Sequence, residues 1–221
     1  MGAIIAEGAA FRRPDLVRGL VLSDGCFPFR GSSAGDSAGT FSPALVLTLL
    51  PFGRKNERRA YRAYRKNHPG AYRSLESYYA DLEAMDEGDR NFLRERVIAR
   101  VESPTQERAY FASLYSLMGA YVFKAPSYTR NIKAWPGRIL LLWGEQDRIL
   151  PPDTAAYIRE LRPDAEFVLI GGAGHLPHQE RPAETAEAMI AFISKVWFNT
   201  PGLAPAVSSR SLQNWVLNQT V

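Results

Sequence analysis

Three short apolar runs with helical stretches around them predict an α/β protein built on a parallel sheet. Val17–Ser23 ends in a continuous apolar run rather than a clean alternation, the pattern of a buried strand, and strand signals return at Arg138–Trp143, whose apolar length also implies burial, and at Ala165–Ile170. The second and third are separated by one helical stretch and followed by another, and strand–helix–strand–helix at this spacing makes parallel units with right-handed crossovers. From about Phe41 to Trp135 only helical patterns appear, which predicts a helical insertion between the first strand and the second.

The elements follow in order. Residues 2–12 are small and apolar and predict a helix. Gly31–Gly39 is a Gly/Ser-rich loop with no means of forming a core. Helical patterns cover Arg58–Lys66, Leu75–Met85, Arg90–Val101 and Thr105–Val122. Ser103-Pro104 ahead of the last supplies a cap residue and a proline at the first helical position. After the second strand a helix is expected from Pro152 to Leu161, with Asp153 near its N-terminal end. Gly171–Gln179 is a glycine-rich loop, Pro182–Val196 is the last helix, and the residues after Asn199 read as an irregular tail. The expected division is a core at 1–30, an insertion at 31–135, a second core part at 136–198, and the tail at 199–221.

Composition narrows the setting. Hydrophobic content of 46% and charged content of 23% over 221 residues fit an ordered globular chain. Cys26 is the only cysteine, which excludes an internal disulfide and fits a reducing compartment. No charged region precedes the first apolar residues, so no secretory signal is expected. The longest nearly uncharged stretch, Phe41–Phe52, is broken by Pro43 and Pro51 and falls far short of the roughly 20 residues that span a bilayer. A cytoplasmic protein with no membrane span is expected. The net charge of +4 has a local source. Arg54, Lys55, Arg58, Arg59, Arg62, Arg65, Lys66 and Arg73 interleave with Tyr61, Tyr64 and Tyr72. Read as an amphipathic helix, this stretch turns Ala60, Tyr61 and Tyr64 inward and leaves the arginines in water. No nucleic-acid module accompanies it, and no nucleic-acid partner is expected.

The candidate chemistry sits late in the chain. Asp147 lies just past a buried strand, where parallel sheets place their active sites; the competing reading is a turn aspartate bonding its own backbone. His175 follows it by 28 residues, in Gly171-Gly172-Ala173-Gly174-His175. Glycines there let the chain turn tightly and aim a ring back over the sheet, and an imidazole takes and returns a proton near neutral pH. His178 reads as a surface residue, His68 as a turn residue, and Glu180 as serving the following helix start. Asp24, at the end of the first strand, is the rival acid. No metal-ligand cluster, phosphate loop or dinucleotide fingerprint is present, and no cofactor is expected.

Leu141-Leu142-Trp143-Gly144-Glu145-Gln146-Asp147-Arg148-Ile149-Leu150-Pro151 resembles the Gly-x-x-Asp-x-x-x-Pro turn of the α/β-hydrolase family. Gly174-His175-Leu176-Pro177-His178-Gln179-Glu180-Arg181-Pro182 is similar to that family's Gly-His-x-Pro-x-x-Glu-x-Pro pattern. The opening Met1-Gly2-Ala3-Ile4-Ile5-Ala6 resembles the stretch just after the nucleophile elbow, where the serine of G-x-S-x-G stands on a strand-to-helix turn. The resemblance implies the last three strands of the family's parallel sheet and a helical cap, with Asp147 as acid and His175 as base. The nucleophile would precede Met1, and the backbone of Met1 would supply one oxyanion-hole donor. A serine hydrolase of an ester or related bond is implied, using water and no cofactor, although relatives with an aspartate nucleophile also exist.

Gly31-Ser32-Ser33-Ala34-Gly35 satisfies the elbow motif literally, but Cys26–Arg30 and further loop surround it where the motif needs a strand and a helix, so Ser33 reads as a loop serine. The substrate expected is a small molecule in a pocket between core and cap. Phe41, Leu45, Leu47, Tyr110, Phe111, Tyr115 and Tyr121 are candidate lining, although cap helices need the same residues for their own core. The alternative is a non-catalytic ligand-binding or assembly fragment, in which the open edge of the first strand drives self-association.

Overall fold

The computed structural model describes residues 2–25 and 74–198, together with residues 55, 56, 58, 59, 61 and 63. Met1, Cys26, the Gly31–Gly39 loop with Ser33, Phe41, Leu45, Leu47, His68 and the tail at 199–221 lie outside the described residues.

Helix α1 spans Gly2–Arg12 and strand β1 spans Gly19–Ser23. Helices α2 (Glu87–Glu102) and α3 (Pro104–Ala134) precede strand β2 (Arg138–Gly144). A 3-10 turn at Pro152–Ala155 leads into α4 (Ala156–Leu161), then strand β3 (Glu166–Ile170), short helix α5 (Pro177–Glu180) and α6 (Pro182–Phe198). The strands form a parallel sheet in the order β1-β2-β3, with Leu20 opposite Ile139 and Leu141 opposite Phe167.

Strand periodicity builds a core on each face of this sheet. Ile139, Leu141 and Trp143 point to one face, where Leu20, Leu22, Ile4 of α1, Ile132 of α3 and Ile158 of α4 join them. Leu140 and Leu142 point to the other and meet Phe192 and Val196 of α6. Both faces of β2 are therefore covered, which is why its sequence reads as an unbroken apolar run. Leu141, Leu142 and Trp143 are fully buried, each contributing roughly 1.5–3 kcal/mol.

Two expectations need correction. The Leu75–Met85 stretch is not a helix: a 3-10 turn at Ser74–Ser77 gives way to turns and bends. The backbone there is engaged elsewhere. Ala80 N–H donates to Glu180, the Tyr78 carbonyl accepts from His175 N–H, and the Asp81 carboxylate accepts from the N–H groups of Glu83 and Ala84. Each such bond replaces one that a helix ladder would use. The other correction is that α3 continues twelve residues beyond Val122, through Pro126. An interior proline costs about 3 kcal/mol, and burial of the next apolar stripe, Tyr128 and Ile132 against the sheet, offsets it. Ser103 caps α3 as expected, its hydroxyl accepting from Gln106 N–H, with Pro104 next.

Arg162 closes the far end of α3. Its buried guanidinium donates to the carbonyls of Ile132, Trp135 and Gly137, at 2.8–3.1 Å, and to Asp164. These are carbonyls that a helix end and the following turn leave without partners, so the positive group both satisfies them and complements the helix dipole.

Candidate active site

The loops after β2 and β3 leave the sheet side by side and are stitched together. Glu145 N–H donates to the Ile170 carbonyl at 3.0 Å and Gln146 N–H to the Ala173 carbonyl at 2.8 Å. A side chain at Gly144 would collide with the Gly174 carbonyl oxygen, which lies 1.9 Å from where a Cβ would stand. Only glycine lets the two loops approach this closely.

That approach brings Asp147 and His175 together. Asp147 Oδ2 is 2.8 Å from His175 Nδ1. Asp147 is buried, and its Oδ1 accepts from Ile149 N–H at 2.8 Å and Leu150 N–H at 2.9 Å, which fixes the plane of the carboxylate. The loop is held in turn by the Trp143 indole N–H, which donates to the Leu150 carbonyl at 2.7 Å. A carboxylate only accepts, so the Nδ1 hydrogen faces Asp147 and Nε2 is left as the nitrogen that can take a proton. The imidazole edge is partly exposed, with the ring of Tyr78 5.7 Å away.

Asp24 stands beside this pair but is committed elsewhere. Its Oδ1 accepts from Gly144 N–H at 2.9 Å and its Oδ2 from the Ser23 hydroxyl at 2.8 Å. Its own N–H donates to the Leu142 carbonyl, and its backbone sits at φ 43°, the left-handed region unusual for a residue other than glycine. Burial pushes the Asp24 carboxyl up to about 7, opposed by the bonds from Gly144 and Ser23; the charge of Asp147 adds to the rise. One oxygen or nitrogen from each of Asp24, Asp147 and His175 lies within 4.8 Å of the others. The strand end thus carries two carboxylates of different character, and only Asp147 is in hydrogen-bond contact with the imidazole.

Other residues fall differently from the sequence reading. Glu180 accepts from Gly174 N–H at 2.6 Å and from Ala80 N–H at 2.7 Å, rather than serving the helix after it. Its position six residues after Gly174 was visible in the sequence; its second partner, 100 positions away, was not. Tyr78, which flanks the imidazole, carries no sequence signal for that role. Tyr110, Phe111 and Tyr115 pack on one another, and Tyr61 stacks on Tyr110 at 5.4 Å, so these rings find partners among themselves. His178 is exposed, as expected. Among the described residues no helix is long and apolar enough to cross a membrane.

A parallel sheet carrying a hydrogen-bonded aspartate–histidine pair on the loops at the carboxyl ends of its last two described strands defines the class, an α/β fold. The chain belongs to the alpha/beta hydrolase family, whose sequence model matches residues 1–188. It is 24% identical over 194 residues to a mouse protein named sn-1-specific diacylglycerol lipase ABHD11, covering 88% of this chain and 57% of that one. It is 30% identical over 80 residues to the putative hydrolase LipZ of Mycobacterium tuberculosis, which is 36% of this chain and 28% of that protein. A putative lipase from Acinetobacter baumannii superposes with a TM-score of 0.63 at 18% identity, over 90% of this chain and 59% of that one. A thermophilic esterase from Thermogutta terrifontis gives a TM-score of 0.59 at 23% identity, over 88% and 62%. The chain therefore spans less than two thirds of the length of each of these proteins.

Proposed function

We propose that the protein works as a hydrolase of an ester or related bond in a small molecule, with His175 as general base and Asp147 as the acid that orients it. The observation that carries this reading is the 2.8 Å contact between Asp147 Oδ2 and His175 Nδ1, with the opposite carboxylate oxygen fixed by two backbone N–H groups. That arrangement holds an imidazole in one tautomer and stabilises the imidazolium formed when a nucleophile is deprotonated. The nucleophile, a serine in our reading, would be carried ahead of α1. The connection from Arg12 to Gly19 is short and returns the chain into β1, so the N-terminal end of α1 lies toward the carboxyl ends of the strands. There its dipole would favour developing negative charge, with the Met1 backbone position as one oxyanion donor. Residues 1–30 and 136–198 would form the core, 31–135 a helical cap over the substrate and 199–221 a tail, in a cytoplasmic protein that needs no cofactor and takes no nucleic acid.

The test is a comparison of two preparations with a fluorophosphonate probe and an activated short-chain ester. The 221-residue chain by itself should show neither labelling nor turnover. A form extended to carry an elbow segment ahead of Gly2 should show both. Stoichiometric labelling of the shorter chain at Ser33 would overturn the assignment and make Ser33 the nucleophile.

A second reading, an assembly fragment, draws on a different observation. β1 is an outer strand of the described sheet, and two large apolar side chains near this end of the chain, Ile5 of α1 and Leu16 three residues before β1, are 67% and 66% exposed. An open strand edge flanked by apolar side chains pairs with other edges. Sedimentation velocity on the 221-residue chain should reveal dimers or larger species, with fast amide exchange across Val17–Ser23. A monodisperse monomer strongly protected over that strand would show that the edge has another cover.

A further inference from the structure

We propose that Glu180 is a positioning residue that makes the placement of His175 depend on the seating of residues 78–81, a reading that rests on His175 being the working imidazole. One carboxylate joins two segments about 100 residues apart. Its Oε2 accepts from Gly174 N–H at 2.6 Å, immediately before the histidine, and its Oε1 accepts from Ala80 N–H at 2.7 Å and Asp81 N–H at 3.4 Å. Further bonds cross the same seam in parallel: His175 N–H donates to the Tyr78 carbonyl at 2.8 Å, and the Tyr79 hydroxyl donates to Gln179 Oε1 at 2.6 Å. Gly174 is pressed so closely that a Cβ there would stand 2.6 Å from Ala80 N and 2.8 Å from the Tyr78 carbonyl oxygen.

The consequence follows from the cost of unpaired buried groups. If residues 78–81 lift away, Oε1 of the Glu180 carboxylate, the Ala80 N–H and the His175 N–H lose their partners together. The histidine loop is complete only while the insertion's returning segment is docked. The same displacement carries off Tyr78, whose ring flanks the imidazole. Docking of the insertion and alignment of the base are thus one event, with Glu180 as the shared bond.

The chain holds three histidines, so imidazole signals of the ¹⁵N-histidine-labelled 221-residue protein are assignable one by one. The readouts are the protected Nδ1–H proton of His175 and amide exchange at Ala80, Gly174 and His175. Glu180→Gln keeps the size but can aim its single oxygen at only one of the two segments. With that oxygen kept by the neighbouring Gly174 N–H, exchange should accelerate at Ala80 and His175 together by about tenfold or more, the scale of a lost charge-assisted bond. The His175 Nδ1–H signal should broaden or vanish, while the β2 amides stay protected. Glu180→Asp, one methylene shorter, should give the same pattern at smaller amplitude, and it carries the test if the glutamine variant fails to fold. An unchanged imidazole signal in a folded variant would reduce Glu180 to a loop tie and overturn the proposal, as would Ala80 and His175 responding separately. These readouts need no turnover, so a failure of the hydrolase reading would register in the ester assay alone.

Discussion

Replacing His175 by alanine should lower ester hydrolysis by about 10⁴- to 10⁶-fold in the protein that carries its nucleophile-bearing segment, the scale seen when a general base is removed from a catalytic unit. Asp147→Asn should cost about 10⁴-fold, and the structure says why. Ile149 N–H and Leu150 N–H both donate to Oδ1, so the amide oxygen of an asparagine would stay with them and its NH₂ would face His175 Nδ1. Nδ1 would then have to accept, the hydrogen would move to Nε2, and the ring would lose the lone pair that takes the nucleophile's proton. Asp24→Asn should be mild by comparison, since an asparagine oxygen can still accept from Gly144 N–H. Steady-state kinetics on the three variants decide the matter. Near wild-type activity in Asp147→Asn together with a crippled Asp24→Asn would transfer the acid role to Asp24.

Stability should fall with rising pH, with the buried carboxyls of Glu7 and Asp24 as the two causes. Glu7 lies on α1 but faces inward, beside Tyr128, Thr129 and Tyr157, only 1% exposed and with Oε2 lacking a hydrogen-bond partner among the described residues. Burial pushes its carboxyl from the ordinary 4.5 up to about 8. The sign follows from proton counting. Between pH 4.5 and 8 the folded chain holds a proton that the unfolded chain has released, so folding stability declines across that window and is lowest above it. The Glu7 decline amounts to about 5 kcal/mol, at 1.36 kcal/mol per unit, a large share of the 5–15 kcal/mol typical of a domain. Glu7→Gln keeps the shape and removes the charge, so its stability should fall less steeply than the wild type's up to about pH 7, where Asp24 adds a comparable decline, and be nearly flat above it. Urea denaturation of both forms at pH 5, 7 and 9 is the measurement. Parallel curves would show that Glu7 is paired and does not titrate in this range.

Much of the framework was legible in the sequence because it is locally encoded. α1 and the three strands stand within two residues of the expected bounds, since a helix or a buried strand reports itself through its own spacing of apolar residues. Ser103-Pro104 marked the start of α3 for a similar reason: a cap and its proline are neighbours in the chain. The aspartate and histidine stood out because each closes a strand and each is flanked by the glycine a tight loop requires.

What tertiary structure alone decided involves partners far apart in sequence. Residues 78–85 have a helical pattern but spend their backbone groups on Glu180, His175 and Asp81. Helix α3 passes Pro126 because the sheet offers Tyr128 and Ile132 a place to be buried. Asp147 and Asp24 both end strands, and only the packing of the β2 and β3 loops puts one of them against the imidazole. Glu7 would sit as readily on an exposed helix face; the position of α3 and α4 buries it. Local patterns specify which elements form, whereas hydrogen bonds and burial between segments some 100 residues apart specify which groups they bring together, because those energies depend on neighbours that the local sequence does not contain.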